Sequence, residues 1–343
     1  MRAIKRLGAR ASSRYAGAMT VIVTGAAGFI GYHTAERLLA RGETVIGVDE
    51  FNAYYDPALK EARAARLEPH DRFRMVRLDV ADAGPFAALV RDSGADRVVH
   101  LAAQAGVRWS IDHPFAYQRA NLAGHLSVLE ACRHAPGLKH LVYASSSSVY
   151  GDRPLAGAFR EDDAVDNPVS LYAATKRAGE LMSTVYGKLY GLPQSGLRFF
   201  TVYGPWGRPD MAYFSFSQKI LAGEPIEVFG QGKLARDFTY VDDIVDGVVG
   251  VLDRPPAAGE NRILNIGDSR PVDLMSMIGA LEAAWGREAK KVFRDHQPGD
   301  VTATYADVSK IRALTGYEPK VNLEEGLVRF VDWYRDWSGP GFA

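Results

Sequence analysis

Thr20-Val21-Ile22-Val23-Thr24-Gly25-Ala26-Ala27-Gly28-Phe29-Ile30-Gly31 decides the fold. A short β-branched run reads as a buried strand, and the glycine-punctuated segment after it opens a helix. Gly25 permits a tight turn and Gly28 lets backbone approach a pyrophosphate. Gly31 allows a helix to pack closely on a strand. The helix that starts at Phe29 and Ile30 offers free N–H groups and the positive end of its dipole to phosphates.

Outward from this segment the same rhythm repeats. Val45 to Val48, Phe73 to Leu78, Val98 to Leu101 and Leu141 to Ser145 read as further buried parallel strands. Amphipathic stretches such as Gly31 to Ala40 and Tyr117 to Arg133 lie between them. Strand–helix alternation on this scale predicts an α/β fold with a doubly wound, Rossmann-type parallel sheet and right-handed crossovers. After about Gly204 the rhythm loosens into turn-rich segments, with helices expected over Val272 to Trp285 and Leu323 to Trp337. The expected organisation is therefore a basic tail over 1–18, a dinucleotide-binding domain over 19–204 and a smaller, mainly substrate-binding α/β lobe over 205–343. The site belongs in the cleft between them, at the carboxyl ends of the strands.

The glycine loop has a matching acid. Asp49 ends the second strand, where a carboxylate can accept from both adenosine ribose hydroxyls and would repel a 2′-phosphate. No Arg follows in Glu50-Phe51-Asn52, so NAD is expected rather than NADP. Asp79-Val80, ending the third strand, is placed to contact adenine, although Asp79 reads also as a turn carboxylate.

Composition narrows the class. Lys plus Arg and Asp plus Glu both total 41 in 343 residues, and hydrophobic residues make up 47%. A chain with no net positive field is a poor partner for nucleic acid or an anionic membrane, so anionic substrates must be met by local Arg and Lys. No apolar run approaches the ~18 residues of a membrane span. The single cysteine, Cys132, lies in an apolar helical stretch; it excludes an internal disulfide and suits a reducing cytoplasm. Residues 1–18 carry Arg2, Lys5, Arg6, Arg10 and Arg14 and no acid, which reads as a flexible tail or an upstream start before Met19 rather than a transit peptide.

Tyr172-Ala173-Ala174-Thr175-Lys176 puts Tyr172 and Lys176 on one helical face. That match alone is cheap. It gains weight from Ser145-Ser146-Ser147-Ser148-Val149-Tyr150-Gly151, a hydroxyl cluster directly after the fifth strand.

With these motifs in place, the Gly-x-x-Gly-x-x-Gly spacing resembles the extended short-chain dehydrogenase/reductase family, and nearly the whole chain from Thr20 fits. The resemblance implies that Leu101-Ala102-Ala103 runs along the cofactor and that Asn121 sits near the nicotinamide ribose. It also implies a catalytic Ser146, Tyr172 as base and Lys176 as its partner, in a homodimer. Phenol ionises near pH 10, so bringing it near neutrality takes ~4 kcal/mol of preference for the phenolate. Lys176 and the positive nicotinamide are the expected source.

Related dehydratases and decarboxylases carry an acid in the segment before Val-Tyr-Gly. Ser147 and Ser148 stand there instead, which leaves oxidation at C4, turning of the keto sugar and hydride return. Asn52-Ala53-Tyr54-Tyr55-Asp56, Gln104 to Ser110 and Arg198 to Met211 resemble the UDP-glucuronate 4-epimerases. An acid is more usual at Ala53. By this resemblance Arg108 binds the substrate, and Ser146, Ser147, Ser148, Thr201 and Arg208 meet the sugar, with Arg208 on its carboxylate or on the diphosphate. Arg236 falls on the diphosphate, and Gln297 and Asp300 in a second nucleotide segment. Val228 and Phe229 pack on uracil or form an ordinary strand. The competing readings are a neutral UDP-hexose 4-epimerase, a non-catalytic NAD-binding regulator, and a reductase with net turnover.

Overall fold

The computed structural model describes residues 19–152, 157–295 and 303–339. The basic tail, Gln297 and Asp300 lie outside them. Strands β1 (Thr20–Thr24), β2 (Thr44–Asp49), β3 (Phe73–Arg77), β4 (Arg97–His100) and β5 (His140–Ser146) are those that the β-branched runs predict, and β6 (Gln194–Phe199) follows the helix of Tyr172. Three short strands come next: β7 (Thr201–Tyr203), β8 (Ile226–Val228) and β9 (Ala235–Tyr240). The last are β10 (Asn261–Ile266), β11 (Pro271–Asp273) and β12 (Lys291–Phe293).

Seven strands form one parallel sheet in the order β10-β6-β5-β4-β1-β2-β3. The chain winds one way from β1 through β2 to β3 and the other way from β1 through β4, β5 and β6. Strand order therefore reverses between β1 and β4, where Thr24 pairs with His100. Loops leaving these two strands diverge, and a crevice opens at their carboxyl ends.

The sheet's seventh strand comes from beyond the expected boundary at 204/205. β10 pairs with β6 over its full length, Asn261 against Gln194 to Ile266 against Phe199. The helix Val241–Leu252, buried along most of its length, packs against the helix Phe29–Ala40. The C-terminal half of the chain therefore contributes to the first core as well as building its own. The remaining strands form two small sheets, β11-β9-β7 and β12-β8.

The helix Leu171–Tyr190 carries Tyr172 and Lys176. Ser170 caps its first turn by accepting from the Ala173 N–H at 3.1 Å, and Gly191 ends it in a left-handed conformation, φ 71°. One stripe, including Ala173, Lys176, Glu180, Ser183 and Gly187, is buried. Gly187 is required there, because a Cβ would meet the Gly259 carbonyl oxygen at 2.7 Å.

Candidate active site

A cleft of about 870 Å³ runs along the carboxyl ends of the strands, bounded by the glycine loop, the serine cluster and the segments 199–216 and 227–238. On one wall the glycine loop has the geometry its sequence demands. Gly25 has φ +72°, and a Cβ on Gly31 would lie 1.9 Å from the Gly25 carbonyl oxygen. Gly28 precedes the helix Phe29–Ala40 without a side-chain cap, leaving its first N–H groups to the cleft. Asp49 is buried at the end of β2. Its carboxylate accepts from the Ala27 N–H at 3.0 Å and the Phe51 N–H at 2.8 Å, which fixes it and leaves further lone pairs for two hydroxyls. Asn52 holds Lys60, whose ammonium donates to the Asn52 side-chain and main-chain oxygens at 2.7 and 2.9 Å.

Further along, Leu101, Ala102 and Ala103 line the floor. The Ala102 N–H donates to the Thr24 hydroxyl at 3.2 Å. Asp79 and Val80 line the cleft also, but Asp79 is engaged. It accepts from the Ala81 N–H and from Arg119, both at 2.8 Å, as the turn-carboxylate reading expects.

Ser146, Tyr172 and Lys176 meet in the middle of the cleft. The Ser146 hydroxyl is hydrogen-bonded to that of Ser148 at 3.1 Å. Burial pushes the Tyr172 phenol above its usual range, while its hydrogen bond to Ser146 and the charge of Arg208 pull the other way. Burial also brings the Lys176 ammonium down to about 8. Lys176 donates to the Ala144 carbonyl at 2.9 Å and lies 6.0 Å from the centroid of the Tyr172 ring. Desolvation is the largest influence on both groups.

Beneath the serines, Arg198 and Glu180 form a fully buried bidentate pair at 2.8 and 2.9 Å. Glu180 also accepts from the Ser145 hydroxyl at 2.6 Å. Removing one partner of such a pair costs about 3–5 kcal/mol. Its position fixes the end of β5 and therefore the cluster that follows.

The opposite wall carries Ser147, Ser148, Thr201 and Arg208. Arg208 is held in a fork by Asp210, Nε to Oδ1 at 3.0 Å and Nη2 to Oδ2 at 2.6 Å. The Tyr54 hydroxyl donates to the same carboxylate at 3.1 Å. Burial and the Asp210 charge push the Tyr54 phenol far up. At the far end Arg108 stacks on Phe229, 5.1 Å from its centroid, and Arg236 lines the cleft from β9. That strand is anchored by buried Asp237, which accepts from the N–H groups of Asp268, Ser269 and Ala306 at 2.7 to 2.9 Å.

Similarity to known proteins identifies the family. The model of the NAD dependent epimerase/dehydratase family matches residues 21–267. The chain belongs to that family. Its cofactor is NAD. UDP-glucuronate 4-epimerase 1 of Arabidopsis thaliana is 45% identical over 350 residues, covering 98% of this chain and 81% of that protein. UDP-glucuronic acid 4-epimerase of Bacillus cereus, crystallised with UDP-glucuronic acid and NAD, superposes with a TM-score of 0.87. It shares 37% identity over 93% of this chain and 100% of that one. UDP-glucose 4-epimerase of Thermotoga maritima, crystallised with UDP-glucose, gives a TM-score of 0.84 at 29% identity over 94% of this chain and 100% of that one.

The residues present fit this family's cofactor. The helix after Gly28 starts without a side-chain cap, so its first N–H groups could hold a pyrophosphate, and Asp49 stands fixed at the end of β2 with lone pairs to spare for a ribose. Two expected residues lie behind those that line the cleft. Val228 is fully buried in β8, so only Phe229 of that pair lines the cleft. Asn121 sits behind the lining, on the π-helical turn Gln118–Ala123. Its side chain accepts from the Gln104 N–H at 2.8 Å and donates to the Gln104 carbonyl and the Thr175 hydroxyl, both at 3.0 Å. It clips the β4 loop to the helix of Tyr172.

Asp210 and Glu180 escape a sequence reading, because the pairing of a given acid with a given arginine is set by tertiary approach. One signal existed for a third residue, Arg63. Leu59, Arg63 and Leu67 recur every fourth residue, which puts the arginine on the buried stripe of its helix.

Proposed function

We propose that this protein interconverts UDP-glucuronate and UDP-galacturonate by NAD-dependent epimerisation at C4. The observation that carries the reading is the surround of Tyr172. Neutral hydroxyls of Ser146, Ser147, Ser148 and Thr201 line the cleft beside it, together with Arg208. The serine segment supplies no additional acid of the kind a dehydratase needs. The greater identity to acid-sugar than to neutral-hexose epimerases supports the acid sugar.

Tyr172 takes the proton of the C4 hydroxyl, with Ser146 holding the reacting oxygen. Bound NAD would supply the hydride acceptor for C4 and then the hydride donor to its other face, and Tyr172 gives the proton back to the C4 oxygen on that return. Lys176 holds the ribose beside the ring, and its charge together with that of the nicotinamide offsets the desolvation that keeps Tyr172 protonated. Glycine-loop N–H groups hold the pyrophosphate, and Asp49 the adenosine ribose. Arg236 and Arg108 meet the UDP diphosphate. A C4-oxidised acid sugar is a β-keto acid, prone to losing CO₂. Arg208 and the hydroxyls hold its carboxylate away from that cleavage. The test is incubation of purified protein with UDP-glucuronate and no added NAD. Appearance of UDP-galacturonate is expected, and conversion of UDP-glucose in its place supports the neutral-hexose reading.

The protein acts as a homodimer. Leu181, Val185 and Leu189 lie on the outer face of the helix Leu171–Tyr190, each at least half exposed, and Leu126 is exposed on the neighbouring helix Gly124–Arg133. Two copies packing these helices together would cover that apolar face. Sedimentation should give a dimer that Leu189→Glu splits. Buried, unpaired Cys132 accords with a cytoplasmic location.

A further inference from the structure

Arg63 is wholly buried, among the largest side chains in the molecule to be so, and it lies outside the lining of the cleft. All five of its N–H groups are spent on neutral oxygens. Nε donates to the Trp206 carbonyl at 3.1 Å, and Nη2 to the Trp206 and Gly207 carbonyls at 2.6 and 3.0 Å. Nη1 donates to the Ala27 carbonyl at 2.9 Å and the Tyr55 hydroxyl at 2.8 Å.

Burying a guanidinium on neutral partners is costly, and it is kept only where its fork does something a neutral side chain cannot. Here the fork joins two ligand loops. Ala27 lies in the glycine loop, and its N–H is already held by Asp49. Gly207 precedes Arg208, and Trp206 sits in the left-handed region at φ 59°, a conformation that a non-glycine residue keeps only when held. The neighbouring Tyr54 reaches Asp210, which forks Arg208. One segment, Asn52 to Arg63, thus touches the glycine loop through Arg63 and Asp210, the partner of Arg208, through Tyr54.

We propose that Arg63 is a positioning residue that couples the two sites, so that NAD in the glycine loop orders the Trp206–Asp210 loop and an acid sugar on Arg208 tightens NAD. The proposal rests on the acid-sugar reading above. Coupling of this kind is reciprocal and is measured as linkage. In protein carrying Tyr172→Phe to stop turnover, NAD affinity is measured by equilibrium dialysis alone, with saturating UDP-glucuronate, and with UDP. With Arg63 present, UDP-glucuronate should tighten NAD at least about fivefold, the low end of ordinary coupling. Arg63→Lys, which keeps the charge and loses the fork, should reduce that factor below about twofold, as should Arg63→Met. The effect of UDP, which lacks the carboxylate, should stay the same in all three.

Undiminished linkage in either variant that melts like its parent overturns the proposal, as does absence of linkage in the parent. Failure of UDP-glucuronate to bind the parent overturns the acid-sugar reading instead, and this inference with it. Hydrogen exchange needs no Arg63 variant. NAD alone should slow amide exchange across residues 204–211, and unchanged exchange there also overturns the coupling.

Discussion

The cofactor wall of the cleft is shaped by backbone, and the substrate wall by side chains reaching across the fold. Gly25, Gly28 and Gly31 act through what they lack, and the order of β1, helix and β2 delivers Asp49 to its place. Opposite them, Arg208 is aimed by Asp210, Asp210 is steadied by Tyr54, and the loop carrying both is held by Arg63. A wall of the first kind tolerates changes of partner but no added atom. A wall of the second kind keeps its shape after substitution and loses its aim. This difference sets what each substitution should do.

The largest effect is expected at the junction of the walls. Tyr172→Phe removes one oxygen and no packing, so NAD should remain bound while turnover falls by about 10²–10⁴-fold, the ordinary range for loss of an acid–base group. Retention of most of the activity would place the base elsewhere. Next comes the substrate wall. Arg208→Ala deletes the proposed charge-assisted partner of the sugar acid and leaves Asp210 near it with its Tyr54 hydrogen bond but no cation. UDP-glucuronate binding should weaken by about 2–5 kcal/mol, far more than binding of UDP, with some CO₂ release and stranded NADH. Equal losses for UDP and UDP-glucuronate would move Arg208 to the diphosphate and make the two walls more alike than proposed here.

The cofactor wall should respond more mildly. Asp49→Ala removes an acceptor worth about 1.5–3 kcal/mol for hydrogen bonds to a charged group. NAD should weaken by about ten- to a hundredfold, and discrimination against NADP should relax, as titration with both cofactors would read. Equal affinity of the unsubstituted protein for NAD and NADP would refute the role given to Asp49.

The same contrast explains what was legible in the sequence. Glycine spacing, β-branched runs and the Tyr172/Lys176 interval are local patterns, and local patterns fix backbone geometry. They suffice for strands β1 to β5, the helix of Tyr172 and the cofactor wall. Strand β10 was invisible because its place at the sheet edge beside β6 depends on a long chain return through the second lobe. Val228 and Asn121 lie behind the cleft lining, a detail that no local pattern shows. Which of two adjacent residues at the end of β8 faces the cleft depends on register, and Asn121 turns inward on a π-helical turn. Sequence shows that Tyr172 and Lys176 are near each other and not how dry their surroundings are.

That dryness yields the smallest and most continuous of the expected effects. Burial brings the Lys176 ammonium down to about 8, from a side chain that in water stays charged well beyond neutrality. For a base, the depressed value means that positive charge is lost on the alkaline side. The protonated fraction should fall from about nine-tenths at pH 7 to about one-tenth at pH 9. Burial pushes the Tyr172 phenol above its ordinary range. If the Lys176 charge helps to stabilise the phenolate, the maximal rate of the holoenzyme should decline about tenfold between pH 7 and 9. A guanidinium in the same place stays charged throughout. Lys176→Arg should therefore give a slower enzyme whose alkaline limb is flat. A parent rate that holds level to about pH 10, where a free ammonium would only begin to titrate, would mean that Tyr172 draws its stabilisation from the bound nicotinamide alone, with Lys176 serving only to hold the ribose.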